Sequence, residues 1–421
     1  MQRYDTYKDS GVKWLGQIPS HWEVRKIKYS GSFLKGKLPK STNNDGIGFP
    51  IIGASEMNGK IPSIFSDDNS VPKCNKTDIL FLWDGANAGL VANNKQGIVS
   101  STVVKYTNTD DAIDNKYLYY LIKNYQRYYK DKVGGTTIPH MNMAYINETP
   151  LLIPNQQEQT LIADYLDTVT AKIDAAIAQQ QKMIDLLNER KQIIINRAVT
   201  KGLNPNAKMK DSGVEWIGEV PEGWEVRRLK YLLNCSLMYG ANESAECEDE
   251  SYPRYIRITD IDEDGNLRPD TFRSLPPAKA EPYLLKKGDL LFARSGATAG
   301  KTYLFNEDIK ACFAGYLIKA SLKETLLPEY LNYYTKSGIY DNWKKSIFIQ
   351  ATIPNIGAEK YANLQITFPS LKEQKDIVNH LDKEIGKVNK VARNCQNQIS
   401  LLQERKQIII NEVVTGKVRV V

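Results

Sequence analysis

The chain has 421 residues, and since single cores rarely grow beyond about 250–300 residues, two or more domains are expected. It is 42% apolar and 25% charged with a net charge of +7, which fits a globular protein with real cores and permits a nucleic-acid partner without demanding one. No stretch approaches the ~20 apolar residues of a membrane span and the N-terminus MQRYDTYKDSG lacks an apolar signal core, so a cytoplasmic protein with no membrane partner is expected.

In chain order, the first distinctive stretch is Asp9–Tyr29, DSGVKWLGQIPSHWEVRKIKY. A loop is expected at Ser41–Gly48, where Gly, Asn, Asp and Ser cluster. Ile79–Trp83 is an apolar run that reads as a strand, followed by the turn Asp84-Gly85-Ala86-Asn87-Ala88-Gly89. Tyr117–Lys130, rich in Tyr and Leu, reads as a helix, and Leu151–Ile153 as a strand. From Asn155 to Lys201 there is neither Pro nor Gly. Asn155 with Glu158 begins this run as a capping variant, and Gly202 with Pro205 ends it.

The chain then repeats itself. Asp211–Tyr231 reads DSGVEWIGEVPEGWEVRRLKY and matches Asp9–Tyr29 at 13 of 21 positions, offset by 202. A loop is expected at Asn242–Ser251. The strand Leu290–Ala293 and its turn answer Ile79–Gly89 at offset 211. A helix is expected over Glu329–Lys345, where Tyr330–Lys336, YLNYYTK, answers Tyr117–Lys123, YLYYLIK, at offset 213. Thr352-Ile353-Pro354 answers Thr137-Ile138-Pro139 at offset 215, and alternating Leu364, Ile366 and Phe368 read as the last strand. Ser370 with Glu373 forms a capping box, and Gly416 stops the final helix. ERKQIIIN occurs twice, at Glu189–Asn196 and Glu404–Asn411, again offset by 215. The offset only ever rises, as duplication with a few loop insertions produces.

The predicted boundaries are 1–154 and 204–368 for two similar globular parts, and 155–203 and 369–421 for two long helices. In the first helix Ile162, Leu166, Val169, Ile173, Ala176, Gln180, Ile184 and Leu187 alternate spacings of three and four. In the second, Ile377, Leu381, Ile385, Val388, Ala392, Cys395, Ile399 and Leu402 do nearly the same. That is a heptad seam, which the three Ile of each ERKQIIIN continue, although two separate amphipathic helices remain the alternative. A helix of about 45 residues is about 65 Å long, whereas a compact domain of this size is only ~40 Å across. A parallel pair would need the second domain to carry the chain back that distance. The expectation is therefore an α+β protein: two mixed α/β domains separated by a long antiparallel two-helix coiled coil, related by a pseudo-two-fold axis.

Motifs for catalysis fall short. Ser295–Thr302 imitates a phosphate-binding loop, but Ser295 stands where its first glycine is needed, and the first-half equivalent has no Lys. Neither an N-P-P-(F/Y) nor a D-P-P-(Y/W) methyltransferase loop occurs. Glu189-Arg190-Lys191 and Glu404-Arg405-Lys406 lack the preceding Pro-Asp of a nuclease and read as solvated helix faces. The five cysteines (Cys74, Cys235, Cys247, Cys312, Cys395) are scattered with no C-x-x-C pair, and the three histidines (His21, His140, His380) lie far apart. No catalytic centre and no metal site is expected.

What remains is binding. Candidate DNA-contacting residues are Trp83, Asp84 and Asn87 on the first turn, and Thr136, Thr137, His140 and Asn142 on the loop before the first long helix. In the second half they are Arg257, Arg294, Ser295, Thr298 and Lys301, with Gln350, Thr352 and Asn355. Arg suits guanine edges, Asn and Gln suit adenine edges, and the rest suit bases or phosphates. The halves share scaffold residues and differ in these loops, as two readers on one frame would, or as ordinary divergence after duplication would. Residues 1–157 carry 19 basic against 14 acidic groups and residues 202–368 carry 21 against 23, so the second domain binds phosphates only by sorting its charges onto one face. Lys123–Lys132 and Tyr340–Lys345 mix basic and aromatic residues and suit a phosphate backbone or a solvated helix face.

Taken together, the opening D-S-G-V-x-W-(L/I)-G-x-(I/V)-P-x-x-W at Asp9 and Asp211, the (S/D)-G-x-x-x-G turn, the Pro-x-x-x-E-Q helix starts at Pro154 and Pro369, and the repeated ERKQIIIN make the chain resemble a specificity subunit of type I restriction–modification systems over nearly its whole length. The resemblance implies two target-recognition domains that each read one part of a split, asymmetric DNA sequence. It implies helices that fix the gap and help dock two methylation subunits, for which Glu189, Arg190, Lys191, Glu404, Arg405 and Lys406 are candidate contacts. It implies that S-adenosylmethionine, ATP and Mg belong to partner subunits, which methylate N6 of adenine and, with restriction subunits, cut DNA. Phe368 before Pro369 departs from the Ile153 of the first copy, and the second domain is net acidic.

Overall fold

A computed structural model describes residues 2–134, 139–262, 265–348 and 354–420. The chain forms two compact units, Met1–Gln181 with Gln396–Val421, and Lys182–Cys395. Each unit therefore takes one globular segment and parts of both long helices.

In the first unit the repeated DSG segment is a turn between antiparallel strands, Tyr7–Asp9 and Gln17–Pro19. The Asp9 carboxylate accepts from the Gly11 amide at 2.9 Å, and Asp211 does the same for Gly213 at 2.9 Å. The repeated letters thus encode an Asx-type turn. The strand Ile79–Leu82, buried at every position, lies inside an antiparallel sheet with Val103–Asn108, Gly31–Lys35 and Val91–Ala92. In the second unit Leu290–Ala293 takes that place, with Leu317–Ala320, Met238–Tyr239 and Thr302–Leu304 in the same strand order. A parallel pair recurs as Phe49–Ile52 with Gly97–Val99 and as Arg254–Ile256 with Ala311–Phe313. Glu23–Lys26 pairs with Pro150–Ile153, and Glu225–Arg228 with Gln365–Phe368. The expected strands are present, with Trp83 beginning the turn and Leu364 lying buried just before its strand.

The helices expected over Tyr117–Lys130 and Glu329–Lys345 are each two: Asn115–Asn124 and Gln126–Asp131, then Pro328–Tyr334 and Gly338–Phe348. Tyr125 sits at the first break with φ −83° and ψ 2°, yet its ring is fully buried, so the apolar pattern runs on through a break it does not signal.

The long helices are Gln156–Lys201 and Leu371–Val414. Each starts in the same way. Ser370 Oγ accepts from the Glu373 amide at 3.3 Å, while Glu373 accepts from the Ser370 amide at 3.2 Å, a reciprocal box. Asn155 accepts from the Glu158 amide at 2.9 Å, but the Glu158 carboxylate turns to His21 at 2.9 Å and to the Trp22 indole at 3.3 Å. The Trp224 indole donates to Glu373 at 3.2 Å. The neighbouring glutamines are wholly buried: Gln374 donates to the Pro369 and Thr325 carbonyls and accepts from the Leu327 amide, and Gln159 repeats this with Pro154, Ala112 and Asp114. So the E-Q pair locks the helix start to its own domain.

Within each unit the early part of one long helix lies with the late part of the other, an antiparallel pairing. Ile162, Leu166 and Ile173 are buried, and Val169, Ala176, Gln180, Ile184 and Leu187 half-buried. On the other helix Ile377, Leu381, Ile385, Val388, Cys395 and Ile399 are buried, and Ala392 and Leu402 half-buried. The heptad seam is real, but the three consecutive Ile do not all extend it. Ile195 and Ile410 are buried, Ile194 and Ile409 half-buried, while Ile193 is 65% and Ile408 47% exposed. At 100° per residue three neighbours sweep too wide an arc to share one seam.

Candidate nucleic-acid interface

The fold brings together the two loops singled out in each half. In the first unit the Trp83 amide donates to Thr102 O at 2.7 Å, the Gly85 amide to Pro139 O at 2.9 Å, and the Met141 amide to Trp83 O at 3.0 Å. Asp84 faces His140 across an isolated antiparallel bridge. In the second unit the Arg294 amide donates to Tyr316 O at 2.9 Å, the Gly296 amide to Pro354 O at 3.1 Å, and the Ile356 amide to Arg294 O at 2.8 Å. Ser295 faces Asn355 in the same kind of bridge. Each turn closes on a glycine at positive φ, Gly89 (+88°) or Gly300 (+85°). A Cβ there would meet Lys130 at 3.0 Å or Lys344 at 2.2 Å, so the turn is pressed against the neighbouring helix.

On this shared backbone the side chains differ. In the first unit Lys35 Nζ lies 3.2 Å from Asp84 Oδ2, beside a half-buried Trp83 and an exposed Asn87 and His140. Asn142 caps the helix Met143–Asn147 through the Ala144 amide at 2.8 Å. In the second unit the Arg294 guanidinium lies 5.1 Å from the Tyr239 ring centroid, with Ser295 half-buried and Thr298 and Asn355 exposed. Two candidates turn inward instead. Lys301 Nζ donates to Ile261 O at 3.0 Å. Arg257 binds the buried Asp260 through two hydrogen bonds, 3.0 and 2.7 Å, and the Thr271 carbonyl at 3.1 Å, and the Asp260 carboxylate pushes the Arg257 pKa up. Arg257 thus neutralises a buried carboxylate. Thr136, Thr137, Gln350 and Thr352 lie outside the described residues.

Lys35 and Tyr239 were not singled out from sequence. Strand register makes them equivalent: Lys35 pairs Val104, which pairs Phe81, and Tyr239 pairs Ile318, which pairs Phe292. Few letters mark the match: Ser32 and Gly36 recur as Ser236 and Gly240 at offset 204, and the strand pairing makes it plain.

The basic–aromatic stretches divide. Lys123 is structural: burial lowers its pKa to about 8, and its Nζ donates to Val91 O at 2.7 Å and to Gln126 at 2.8 Å. Arg127, Lys130 and Lys132 are exposed, while Tyr125 and Tyr129 are buried. In Tyr340–Lys345, Tyr340 and Trp343 are buried and Lys344 pairs with Asp341 at 2.7 Å.

Of the helix residues proposed for partner docking, Glu189, Arg190, Glu404 and Arg405 are exposed. The two lysines instead tie the helices together, Lys406 to Asp174 at 2.7 Å and Lys191 to Asn389 at 3.2 Å. The closing Asn of each repeat meets the junction of the paired domain helices: Asn411 accepts from Asn124 at 3.2 Å, and Asn196 accepts from the Gly338 amide. Among the described residues no group of three or more His, Cys, Asp or Glu is placed to hold a metal, and no helix is long and apolar enough to cross a membrane.

Fold and loops together define a tandem-repeat protein of two similar mixed α/β domains carried on long antiparallel helices, with matched loops bearing different side chains. The chain belongs to the type I restriction modification DNA specificity domain family, whose model matches residues 19–184 and 221–400. It is 29% identical to the type I restriction enzyme MjaVIII specificity subunit of Methanocaldococcus jannaschii, over 98% of this chain and 97% of that one. It is 21% identical to the EcoBI specificity subunit of Escherichia coli, over 81% of this chain and 73% of that one. A solved structure from work on complex assembly and conformational transition of the type I R-M system superposes with a TM-score of 0.68 at 16% identity, over 95% of this chain and 99% of that one, a likeness of fold.

Proposed function

We propose that this chain is the non-catalytic DNA-recognition subunit of a type I restriction–modification complex. Each domain reads one half of a bipartite, asymmetric site, and the helices set the spacer and dock two adenine-methylation subunits. S-adenosylmethionine, ATP and Mg belong to the methylation and restriction partners. The observation that carries the DNA reading is the pair of loops fastened by the same backbone bonds in both units, holding Lys35, Trp83, Asp84 and His140 in one and Tyr239, Arg294, Ser295 and Asn355 in the other. A frame kept while its exposed polar side chains change suits two readers of different base sequences.

Docking of two copies of one partner is supported by a repeated helix face. Leu186 and Ile193, seven residues apart, are 49% and 65% exposed, and their counterparts Leu401 and Ile408 are 64% and 47% exposed. Exposed apolar side chains spaced by a heptad suit a partner helix.

The competing reading is a scaffold that binds proteins alone. With its methylation subunits present, the full chain is expected to retard one bipartite duplex in a gel at least ~1,000-fold more tightly than scrambled duplex at physiological salt. Equal affinity for both duplexes would favour the scaffold.

A further inference from the structure

We infer that the second domain reads a guanine through Arg294, with Tyr239 as the positioning residue that fixes the guanidinium; this rests on the DNA-recognition reading above. Arg294 stands at the end of a fully buried strand. Its own amide and carbonyl are both engaged, to Tyr316 O at 2.9 Å and from the Ile356 amide at 2.8 Å, so the root of the side chain is held on both sides. Its guanidinium lies over the Tyr239 ring at 5.1 Å. Among the described residues it forms no ion pair, unlike Arg257, which is spent on Asp260.

The platform is itself fixed. Tyr239 is paired in the sheet opposite Ile318, and its hydroxyl accepts from the Ala358 amide at 3.0 Å, yet 41% of the residue stays exposed. A guanidinium laid on an aromatic face keeps its edge donors directed outward, while the stacking restricts its rotamers. A planar two-donor edge matches guanine O6 and N7 in the major groove, the commonest specific contact of this side chain. Phosphate tracking is a poorer assignment. It needs charge more than planarity, and residues 202–368 carry 21 basic against 23 acidic groups, so this domain has little general attraction for DNA to add to. At the equivalent place the first domain has Lys35 paired with Asp84 and Trp83 in the place of Arg294, a different donor pattern for a different half-site.

The test uses the full chain assembled with its methylation subunits. The methylated motif is mapped first. Duplexes carrying 7-deazaguanine, which lacks the N7 acceptor, are then compared with ordinary duplexes at each guanine of the motif. One guanine in one half-site is expected to be sensitive, its replacement weakening binding by roughly 5- to 150-fold. Arg294→Gln is expected to lose a similar factor on ordinary DNA and nothing further on the modified duplex. The other half-site keeps its full discrimination. Tyr239→Phe, which keeps the ring but loses the bond from the Ala358 amide, is expected to retain most of the guanine preference, and Tyr239→Leu to follow Arg294→Gln. The assignment is overturned if no guanine of either half-site is sensitive, if Arg294→Gln stays as sensitive as the parent, or if Tyr239→Leu leaves the guanine preference intact. Should Arg294→Gln fail to assemble, the parent complex on modified duplexes decides the question, with Arg294→Lys, which keeps the charge but not the planar stacked fork, expected to weaken the preference and to lose its dependence on Tyr239. A parent chain that directs no motif at all contradicts DNA recognition itself, an outcome distinct from an insensitive guanine.

Discussion

Trp224→Ala is expected to destabilise the second unit by about 3–5 kcal/mol, the usual cost of removing a buried Trp. Trp224 is 2% exposed, and its ring lies where the first long helix ends and the second begins. A Cβ on Gly202 would stand 3.1 Å from it, and its indole donates to Glu373, the residue that caps the second helix. The substitution leaves a cavity, removes a donor from the Glu373 carboxylate, and loosens three segments at once. Because the repeat puts Trp22 in the same place in the first unit, within hydrogen-bonding reach of Glu158, Trp22→Ala is expected to cost a comparable amount. Urea unfolding of the full chain followed by circular dichroism measures both. A loss below about 1 kcal/mol in either would show that the repeated tryptophan is not a keystone of its unit.

Inserting one heptad at equivalent points of both long helices, after Gln180 and after Cys395, is expected to lengthen the gap between half-sites. Seven helical residues add about 10.5 Å, which is about three base pairs at 3.4 Å each. A heptad returns the seam to nearly the same face, so the buried series around Ile173 and Ile399 is kept. Three base pairs turn the duplex by roughly a third of a helical repeat, so methylation is expected to slow even at sites with the longer gap. Inserting the heptad in one helix only breaks the pairing of Lys406 with Asp174 or of Lys191 with Asn389 and is expected to lower stability without resetting the gap. The readout is the spacer in the methylated motif; an unchanged spacer with both helices extended refutes the ruler.

Much of the frame was legible in the letters because duplication preserved them where geometry is strict. The Asp9 and Asp211 turns, the buried tryptophans, the Gln159 and Gln374 locks and the heptad seam all sit in repeated stretches. The joining of Asp84 with His140 and of Ser295 with Asn355 was only half legible. Composition marked both loops, while their contact depends on pairing across some sixty residues. Lys35 and Tyr239 escaped notice because they differ from one another and only a Ser and a Gly recur around them, Ser32 and Gly36 as Ser236 and Gly240, while their partners lie far off in sequence. Arg257 and Lys301 looked available because sequence shows charge but not the buried Asp260 or the Ile261 carbonyl that engages it. ERKQIIIN misled in a third way. Its lysine and one of its isoleucines serve the helix pairing, while Ile193 and Ile408 face outward, where a partner helix is proposed to lie.

The central claim is that two independent readers share one frame. It is tested most directly by exchanging residues 30–150 for the corresponding domain of another family member and mapping adenine methylation genome-wide in cells that supply the partner subunits. The account predicts a bipartite motif that depends on this chain, with one half changed by the exchange and the other half and the spacer intact. A motif altered in both halves, or in neither, would contradict it.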